Sequence, residues 1–171
     1  MTERIASGRT SADFASARRG WAAGVTLVTV ADGRDDIGTT VSACCPLSAE
    51  PPLIAVSLAG DSYPAELLGR LELFAVTLLA AGQRAVAGRF AAPGRPGARL
   101  LLDGLPHSRG EISGALIPGG GLAALECAVT QRVSAGDHLL VLARVLAVPY
   151  QAEAGAPLVR FRGGYPPVGH S

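Results

Sequence analysis

The amino-acid sequence predicts a mainly β protein, a closed antiparallel barrel with a few short flanking helices. Six or seven segments of the 171-residue chain are short, apolar and separated by turn residues, mostly in hairpin order. The 22 glycines and 12 prolines indicate many turns. Since no linker or internal repeat interrupts these segments, we expect one domain over residues 1–171 with a core from about residue 14 to residue 165.

The first half of the chain predicts one helix and three strands. Phe14, Ala17, Arg18 and Trp21 follow helical spacing, so a short helix is predicted from Thr10 or Ser11 to Gly24. An Asp-Gly pair indicates a hairpin turn over residues 31–36, and two prolines indicate a further turn at residues 51–52. The β-branched, apolar runs between these turns predict strands at residues 25–30, 37–43 and 53–58.

The second half predicts two more helices and four strands. Ser62 is a suitable cap for a helix that has Pro64 and Glu66 in its first turn. A second short helix is predicted over residues 83–90, and the Pro/Gly-rich residues 91–121 are predicted to be loop. Strands are predicted at residues 73–79, 122–133, 138–150 and 158–161, with a tight turn at residues 134–137.

Composition excludes several classes of protein. The net charge of +1 gives no basic field for nucleic acid, and no apolar run reaches the roughly 18 residues of a membrane helix. Only 17% of residues are charged, so part of the surface is expected to be buried in a homodimer. Three cysteines make no disulfide framework or zinc motif, and the polar start lacks a secretory core, so we expect a cytoplasmic protein without a metal site.

Two segments are candidates for chemistry. Hydroxyl-bearing and small residues crowd residues 38–48, which suits either an anionic, carbonyl-rich ligand or an ordinary polar edge strand. The turn Gly136-Asp137-His138 places a histidine that is either structural or functional. The sequence contains no Gly-x-Ser-x-Gly, Walker or Rossmann motif.

An ordered set of segments resembles the short-chain flavin reductases, the reductase components of two-component flavin-dependent monooxygenases. No single segment is specific, but together they run from Phe14 to Tyr165 in the order found in that family. The matching segments are residues 21–29, 38–58 with Pro51-Pro52-Leu53, 74–79, 89–91, 125–129, 136–138 and 157–159, with Tyr165.

The resemblance implies a six-stranded, FMN-binding split β-barrel in Greek-key order that forms a homodimer. It implies an NAD(P)H:flavin oxidoreductase that uses NADH or NADPH to reduce FMN or FAD by hydride transfer. A partner monooxygenase would then receive the reduced flavin. Both reactive atoms belong to cofactors, which agrees with the absence of a catalytic triad motif.

The resemblance also implies the site residues. His138 would be catalytic, orienting or polarising the nicotinamide, and Tyr165 would close the nicotinamide pocket. The residues implied in flavin binding are Thr39, Thr40, Val41, Ser42, Ala43, Cys44, Cys45, Ser57, Leu58, Ser62, Arg89 and Phe90.

Departures from the family pattern leave a second interpretation open. Pro46 stands where the family usually has Ser and removes a hydroxyl and a backbone donor, and Asp61 would repel a phosphate. Residues 92–113 diverge, and because the adenosine half of FAD would meet them, FMN and FAD are not distinguished. The alternative is a flavin-reductase-like barrel without reductase activity, acting as a small-molecule-binding or pathway partner protein. A heme or pyridoxal-phosphate barrel is disfavoured, since no histidine context suits heme and the chain has no lysine.

Overall fold

The computed structural model describes residues 7–33 and 35–168. Its helices are α1 (Ser7–Ala17), α2 (Tyr63–Arg70), α3 (Arg84–Ala91) and α4 (Ala98–Leu101), with 3-10 turns at Arg18–Gly20 and Ala81–Gln83. Its strands are β1 (Ala23–Gly24), β2 (Thr26–Asp32), β3 (Asp35–Val41), β4 (Cys44–Ala49), β5 (Pro52–Ala59), β6 (Leu73–Leu78), β7 (His107–Arg109), β8 (Leu116–Pro118), β9 (Ala123–Ala135), β10 (His138–Gln151) and β11 (Val159–Arg160). None of the described helices is long and apolar enough to cross a membrane.

Seven strands form one antiparallel sheet in the order β3-β2-β6-β9-β10-β5-β4. The edge strands β3 and β4 are joined by only Ser42 and Ala43, so their ends lie within about 11 Å of each other. The sheet must therefore curl until its two edges meet. Among the described residues, the edge strands β3 and β4 are not hydrogen-bonded to each other. The expectation of a closed, six-stranded barrel is therefore corrected to an open, curled sheet of seven strands.

The main hydrophobic core fills the inside of this curl. It contains residues from both ends of the sheet, including Val41 of β3 and Val56 of β5, and Phe74 of the central strand β6. Helix α2 adds Leu67 and Leu68, which are fully buried in the same core. The Ser62 hydroxyl caps this helix as predicted, accepting from the Ala65 N–H at 3.3 Å.

A second core covers the other face of β2 and β3. Phe90 of α3 and Leu102 are fully buried there against Leu27 of β2. Gly38 of β3 makes this packing possible, because a Cβ atom at Gly38 would lie 2.5 Å from Cε1 of Phe90. This face of the sheet is therefore committed to packing against α3 and the residues that follow it.

The prediction that residues 91–121 are all loop is wrong, because α4, β7 and β8 lie there. Two buried carboxylates hold this segment against the sheet. Asp36 of β3 binds Arg99 at 2.5 Å and Arg109 at 2.9 Å and 3.0 Å. Glu126 of β9 accepts from the Ser113 N–H and hydroxyl, each at 2.7 Å.

The first helix and β4 also differ from expectation. The helix ends at Ala17, where a 3-10 turn through Gly20 begins, rather than continuing to Gly24. Between the predicted strands at residues 37–43 and 53–58 the structure has a further edge strand, β4, that was not predicted, and the turn follows it at Glu50 and Pro51. Pro46 concealed this strand, because proline is compatible with a strand only at an edge or a bulge.

Candidate functional site

Two neighbouring clefts open on the face of β5 and β10 that is turned away from the main core. The main cleft has a volume of about 1120 Å³ and lies between these strands, β4, the end of α1 and the residues after β11. The small cleft, about 810 Å³, lies where the β9–β10 turn faces the start of α2. The polar and charged residues of the small cleft are Asp61, Ser62, Glu66, Ser134, Asp137 and His138.

The strand register places the floor of the main cleft and His138 on one face. Leu140 of β10 is paired with Ser57 of β5, and His138 is paired with Ala59. Residues two apart on a strand point to the same face, and directly paired residues share a face. His138 therefore continues the row of Leu140 and Ser57 from the main cleft into the small one.

Strand β4 forms the wall of the main cleft. Its alternation turns Cys44 toward the main core and leaves Cys45 exposed in the cleft. Burial raises the pKa of the Cys44 thiol to about 11, so that thiol is protonated at neutral pH. The cleft can therefore use the thiol of Cys45 and only the backbone of Cys44.

The open edge of β4 offers a backbone donor to the cleft. The Ser57 N–H donates to the Ala43 carbonyl at 2.9 Å, so the next pair, Cys44 with Val56, is a non-hydrogen-bonded pair. The Cys44 N–H consequently points away from the sheet. Pro46 occupies the same kind of position two residues later, so it leaves the ladder intact and removes one donor from the open edge.

The two clefts carry opposite charges. Arg18, Arg19, Arg160 and Arg162 line one end of the main cleft, and none of its described lining residues is acidic. The small cleft has three carboxylates and no arginine among the residues that the structure places in its lining. The pair therefore suits a ligand that is anionic at one end, or two ligands of different charge.

His138 is oriented by its neighbour in the turn. Its Nδ1 atom lies 2.7 Å from Oδ1 of Asp137, and its side chain is 35% exposed. The hydrogen bond to His138, together with the charge of His138 and that of Arg18, lowers the pKa of Asp137 below its usual value. This carboxylate is therefore charged at neutral pH, and it fixes which ring nitrogen His138 presents to the cleft.

The structure brings together seven of the residues implied by the resemblance. Ser42, Ala43, Cys44, Cys45 and Ser57 line the main cleft, and Ser62 and His138 line the small one. The side chain of Ser62 also has a structural role, since its hydroxyl donates to the Ala59 carbonyl at 2.6 Å and caps α2.

The other implied residues lie outside both clefts. Phe90, Leu58 and Val41 are buried in the two cores, so their side chains have no surface left for a ligand. Thr39 and Thr40 are half-buried on β3, opposite Val28 and Leu27.

Arg89 and Tyr165 are placed elsewhere by their own contacts. Arg89 donates to the Leu101 carbonyl at 3.2 Å, which ties α3 to α4. Tyr165 packs on the second core, and the Arg84 guanidinium carbon lies 5.6 Å from the centre of the Tyr165 ring.

Sequence reasoning missed the cationic end of the main cleft. It depends on contacts between segments some 140 positions apart: Ala23 pairs with Arg160, and the Arg162 N–H donates to the Arg19 carbonyl at 3.0 Å. The one available signal was that Arg18-Arg19 and Arg160-x-Arg162 are paired basic residues beside short apolar runs.

The residues of the main cleft define a protein that binds a planar, anionic ligand. No group of three or more potential metal ligands occurs within residues 7–33 and 35–168. What the site offers is an apolar and hydroxyl-bearing floor, a backbone donor and a cationic end, which together suit a planar ligand that carries phosphate. The chain belongs to the flavin reductase-like domain family, whose model matches residues 18–169.

Relatives with names of flavin reductases are similar over most of the chain. The reductase component of 4-hydroxyphenylacetate 3-monooxygenase from Thermus thermophilus is 38% identical over 155 residues, covering 89% of this chain and 93% of that protein. An NADH-dependent FAD reductase from Streptomyces globisporus is 36% identical over 142 residues, which are 82% of this chain and 76% of that one.

Solved structures agree over nearly the whole chain. The NADH:FAD oxidoreductase of Streptomyces globisporus C-1027, solved with NAD and FAD fragments, superposes with a TM-score of 0.86 at 27% identity and 98% coverage of both chains. The flavin reductase component of a bacterial two-component tryptophan halogenase gives a TM-score of 0.85 at 30% identity, covering 94% of this chain and 99% of that one.

Proposed function

We propose that this protein is an NAD(P)H:flavin oxidoreductase that reduces FMN or FAD and supplies reduced flavin to a partner monooxygenase. The observation that carries the proposal is the continuous row of Ser57, Leu140 and His138 across two clefts of opposite charge. Relatives that are 33–38% identical and carry names of NADH-dependent flavin reductases or a monooxygenase reductase component support it.

The main cleft has the donor set that a flavin requires. Ala55 and Leu140 provide an apolar floor for a planar ring, and the Ser42 and Ser57 side chains provide hydroxyls. The outward N–H of Cys44 is a preorganised donor for negative charge that grows on the ring during reduction. Apart from Ser42, which lies in the short β3–β4 connection, these groups are held by the paired strands β4, β5 and β10, so they need no rearrangement when charge develops.

His138 is proposed to position the nicotinamide against the flavin. The bound cofactors supply the chemistry, a hydride transfer from nicotinamide C4 to flavin N5, so the protein contributes binding, alignment and electrostatics. His138 lies at the end of the floor, and Asp137 fixes its ring at 2.7 Å. The carboxylates of Asp61, Glu66 and Asp137 around it favour positive charge on the oxidised nicotinamide.

The fold is proposed to act as one flavin-binding split-barrel domain in a homodimer in the cytoplasm. Leu47 on β4 and Leu146 and Val148 on β10 are 51%, 43% and 51% exposed, and a second copy would remove this apolar surface from water. Sedimentation velocity of the purified protein tests this: a dimer is expected, and a monomer at micromolar concentration would contradict it.

The activity is tested by following NADH and NADPH oxidation with FMN, with FAD and with neither. Turnover that depends on added flavin is the expected result. Anaerobic transfer of the reduced flavin to an added flavin-dependent monooxygenase tests the second part of the proposal.

No turnover with any combination would overturn the reductase assignment. It would favour the alternative of a barrel that binds a small molecule without reducing it, for which the donor that Pro46 removes from the edge of β4 gives a physical reason. Equilibrium dialysis with FMN then shows whether flavin binding survives.

A further inference from the structure

We propose that the arginine-lined end of the main cleft is a subsite for an adenosine diphosphate moiety, with Trp21 as its stacking surface. FAD and NAD(P)H both carry this moiety, whereas FMN does not. The proposal rests on the proposed function for the choice of these ligands, whereas the subsite itself is defined by residues of the main cleft and not by His138, which lines the small one.

Charge is the first argument. Four of the chain's 15 basic residues line this one end, although the whole chain has a net charge of only +1. The described lining of the main cleft contains no carboxylate, although the charge of Arg18 also acts on Asp137 of the neighbouring small cleft. Guanidinium groups bind phosphate oxygens through paired, charge-assisted hydrogen bonds, so a diphosphate is the chemistry that this cluster fits.

Trp21 is the second argument. It is 76% exposed at the wall of the main cleft, beside the 3-10 turn that carries Arg18 and Arg19. An exposed indole ring offers a flat apolar face that a planar partner can cover. A nucleobase is the partner that fits beside a phosphate site, since stacking on an aromatic ring accepts any base.

Backbone conformation is the third argument. Arg162 is the only non-glycine residue of the described chain with a positive φ, at 50°, a conformation that is unfavourable for a residue with a side chain. Its N–H donates to the Arg19 carbonyl at 3.0 Å, and its guanidinium lies 5.1 Å from the centre of the Phe161 ring. The strained residue thus joins the two arginine-bearing segments at the cleft.

The predicted binding place of the adenosine half of FAD changes accordingly. The sequence suggested that the adenosine half of FAD would meet residues 92–113. None of these residues lines the main cleft, whereas residues 18–24 and 160–163 supply much of its lining. The structure therefore assigns adenosine recognition to the two ends of the domain.

Trp21 makes the test direct, because it is the only tryptophan of the chain. Fluorescence of the purified protein is titrated with ADP-ribose, with FMN as the comparison ligand. Saturable quenching by ADP-ribose is expected, and each of Arg160→Ala and Arg162→Gly is expected to weaken it about tenfold. Glycine is chosen at position 162 because it accepts the positive φ.

Arg70→Ala is the matched control. Arg70 lies at the end of α2, outside both clefts, and its loss changes the net charge equally. The ADP-ribose titration of the Arg70→Ala variant should match that of the wild type. Absence of quenching in the wild type, or unchanged affinity in both cleft variants, overturns the proposal. The fluorescence titration measures binding whether or not the protein oxidises NADH. A failure of this proposal is therefore distinguished from a failure of the proposed reductase activity.

Steady-state kinetics of an active protein identify the source of the moiety. If the subsite holds FAD, Arg160→Ala raises the KM for FAD and leaves the KM for FMN unchanged. If it holds the nicotinamide dinucleotide, the same change raises the KM for NADH with either flavin. Unchanged KM values for FAD and NADH together would overturn the assignment to both.

Discussion

The imidazole Nδ1 of His138 and the carboxylate Oδ1 of Asp137, adjacent residues in the β9–β10 turn, lie 2.7 Å apart. The Asp137 carboxylate is charged at neutral pH, since the hydrogen bond to His138 and the charge of that ring lower its pKa. A carboxylate accepts, so Nδ1 carries the proton and Nε2 is the nitrogen available to a ligand. The Gly136-Asp137-His138 turn therefore holds the His138 ring in one orientation.

Replacing this histidine should slow catalysis without preventing flavin binding. His138→Ala is expected to lower kcat about tenfold, the effect of losing one well-placed hydrogen-bonding group, with the Kd for FMN unchanged. Stopped-flow flavin reduction and a fluorescence titration measure the two quantities. Asp137→Asn should give a smaller loss, because the ring remains but loses its orientation.

His107→Ala is the control for that experiment. His107 is exposed on β7, outside both clefts, with Nδ1 2.8 Å from the Leu105 carbonyl. The His107→Ala variant should reduce flavin at the wild-type rate. Equal losses in the two histidine variants, or wild-type kcat in His138→Ala, would remove His138 from the proposed mechanism.

Gly38 should not tolerate a side chain. Its Cβ would lie 2.5 Å from Phe90 Cε1, and Phe90 is fully buried, so Gly38→Ala is expected to lower the free energy of unfolding by about 1–3 kcal/mol. Urea denaturation measures this. Phe90→Leu in the same chain should recover part of the loss, since it removes the atoms that clash, and strict additivity of the two changes would contradict the contact.

Gly69→Ala provides the opposite expectation. Gly69 lies in α2, and nothing lies within 4 Å of a Cβ placed there. Alanine should therefore stabilise the protein by about 0.5–1 kcal/mol through helix propensity.

The Asp36 cluster should make stability depend on pH. Burial alone would raise the pKa of Asp36, but hydrogen bonds from Arg109 and Arg99 outweigh it and hold the folded pKa below the usual 3.8. The stabilisation is therefore complete above pH 3.8 and is lost as the pH falls through the folded pKa. Asp36→Asn should cost about 2 kcal/mol at pH 7.

Urea unfolding at several pH values compares wild type and Asp36→Asn. The difference in stability between them should shrink below pH 3.8. A difference that stays constant down to pH 2, or that grows on acidification, would show that the carboxylate charge does not anchor Arg99 and Arg109.

Cysteine labelling should single out one thiol. Cys45 is exposed, whereas burial raises the pKa of Cys44 to about 11 and that of Cys127 to about 12. At pH 8 only about one Cys44 side chain in a thousand is a thiolate, so iodoacetamide should modify Cys45 first. Peptide mapping by mass spectrometry identifies the site, and saturating FMN should slow the reaction because Cys45 lines the main cleft.

The chain's local signals predicted much of the fold. The Asp-Gly and Gly-Asp turns indicated the β2–β3 and β9–β10 hairpins, and Ser62 indicated the start of α2. These features depend on neighbouring residues. Strand β4 was missed because Pro46 argues against a strand unless the ladder position is known.

Long-range contacts were beyond a reading of the sequence. The structure of residues 98–118 depends on hydrogen bonds to Asp36 and Glu126, which come from other parts of the chain and meet this segment only in the folded protein. Among the residues that line the two clefts, Ser57, Cys45 and His138 were expected from the family resemblance, whereas Trp21 and the arginines were not. Their convergence requires the pairing of β1 with β11, two strands of two residues each.

The two residues that join β3 to β4 tie the shape of the site to the path of the chain. Ser42 and Ala43 draw the sheet edges together and also line the main cleft. An inserted residue there would relax the curvature and widen the cleft in one step, so evolution cannot adjust this wall independently of the fold. New ligand preferences are therefore expected to arise at the chain's two ends, where α1 and β11 can vary while the scaffold stays unchanged.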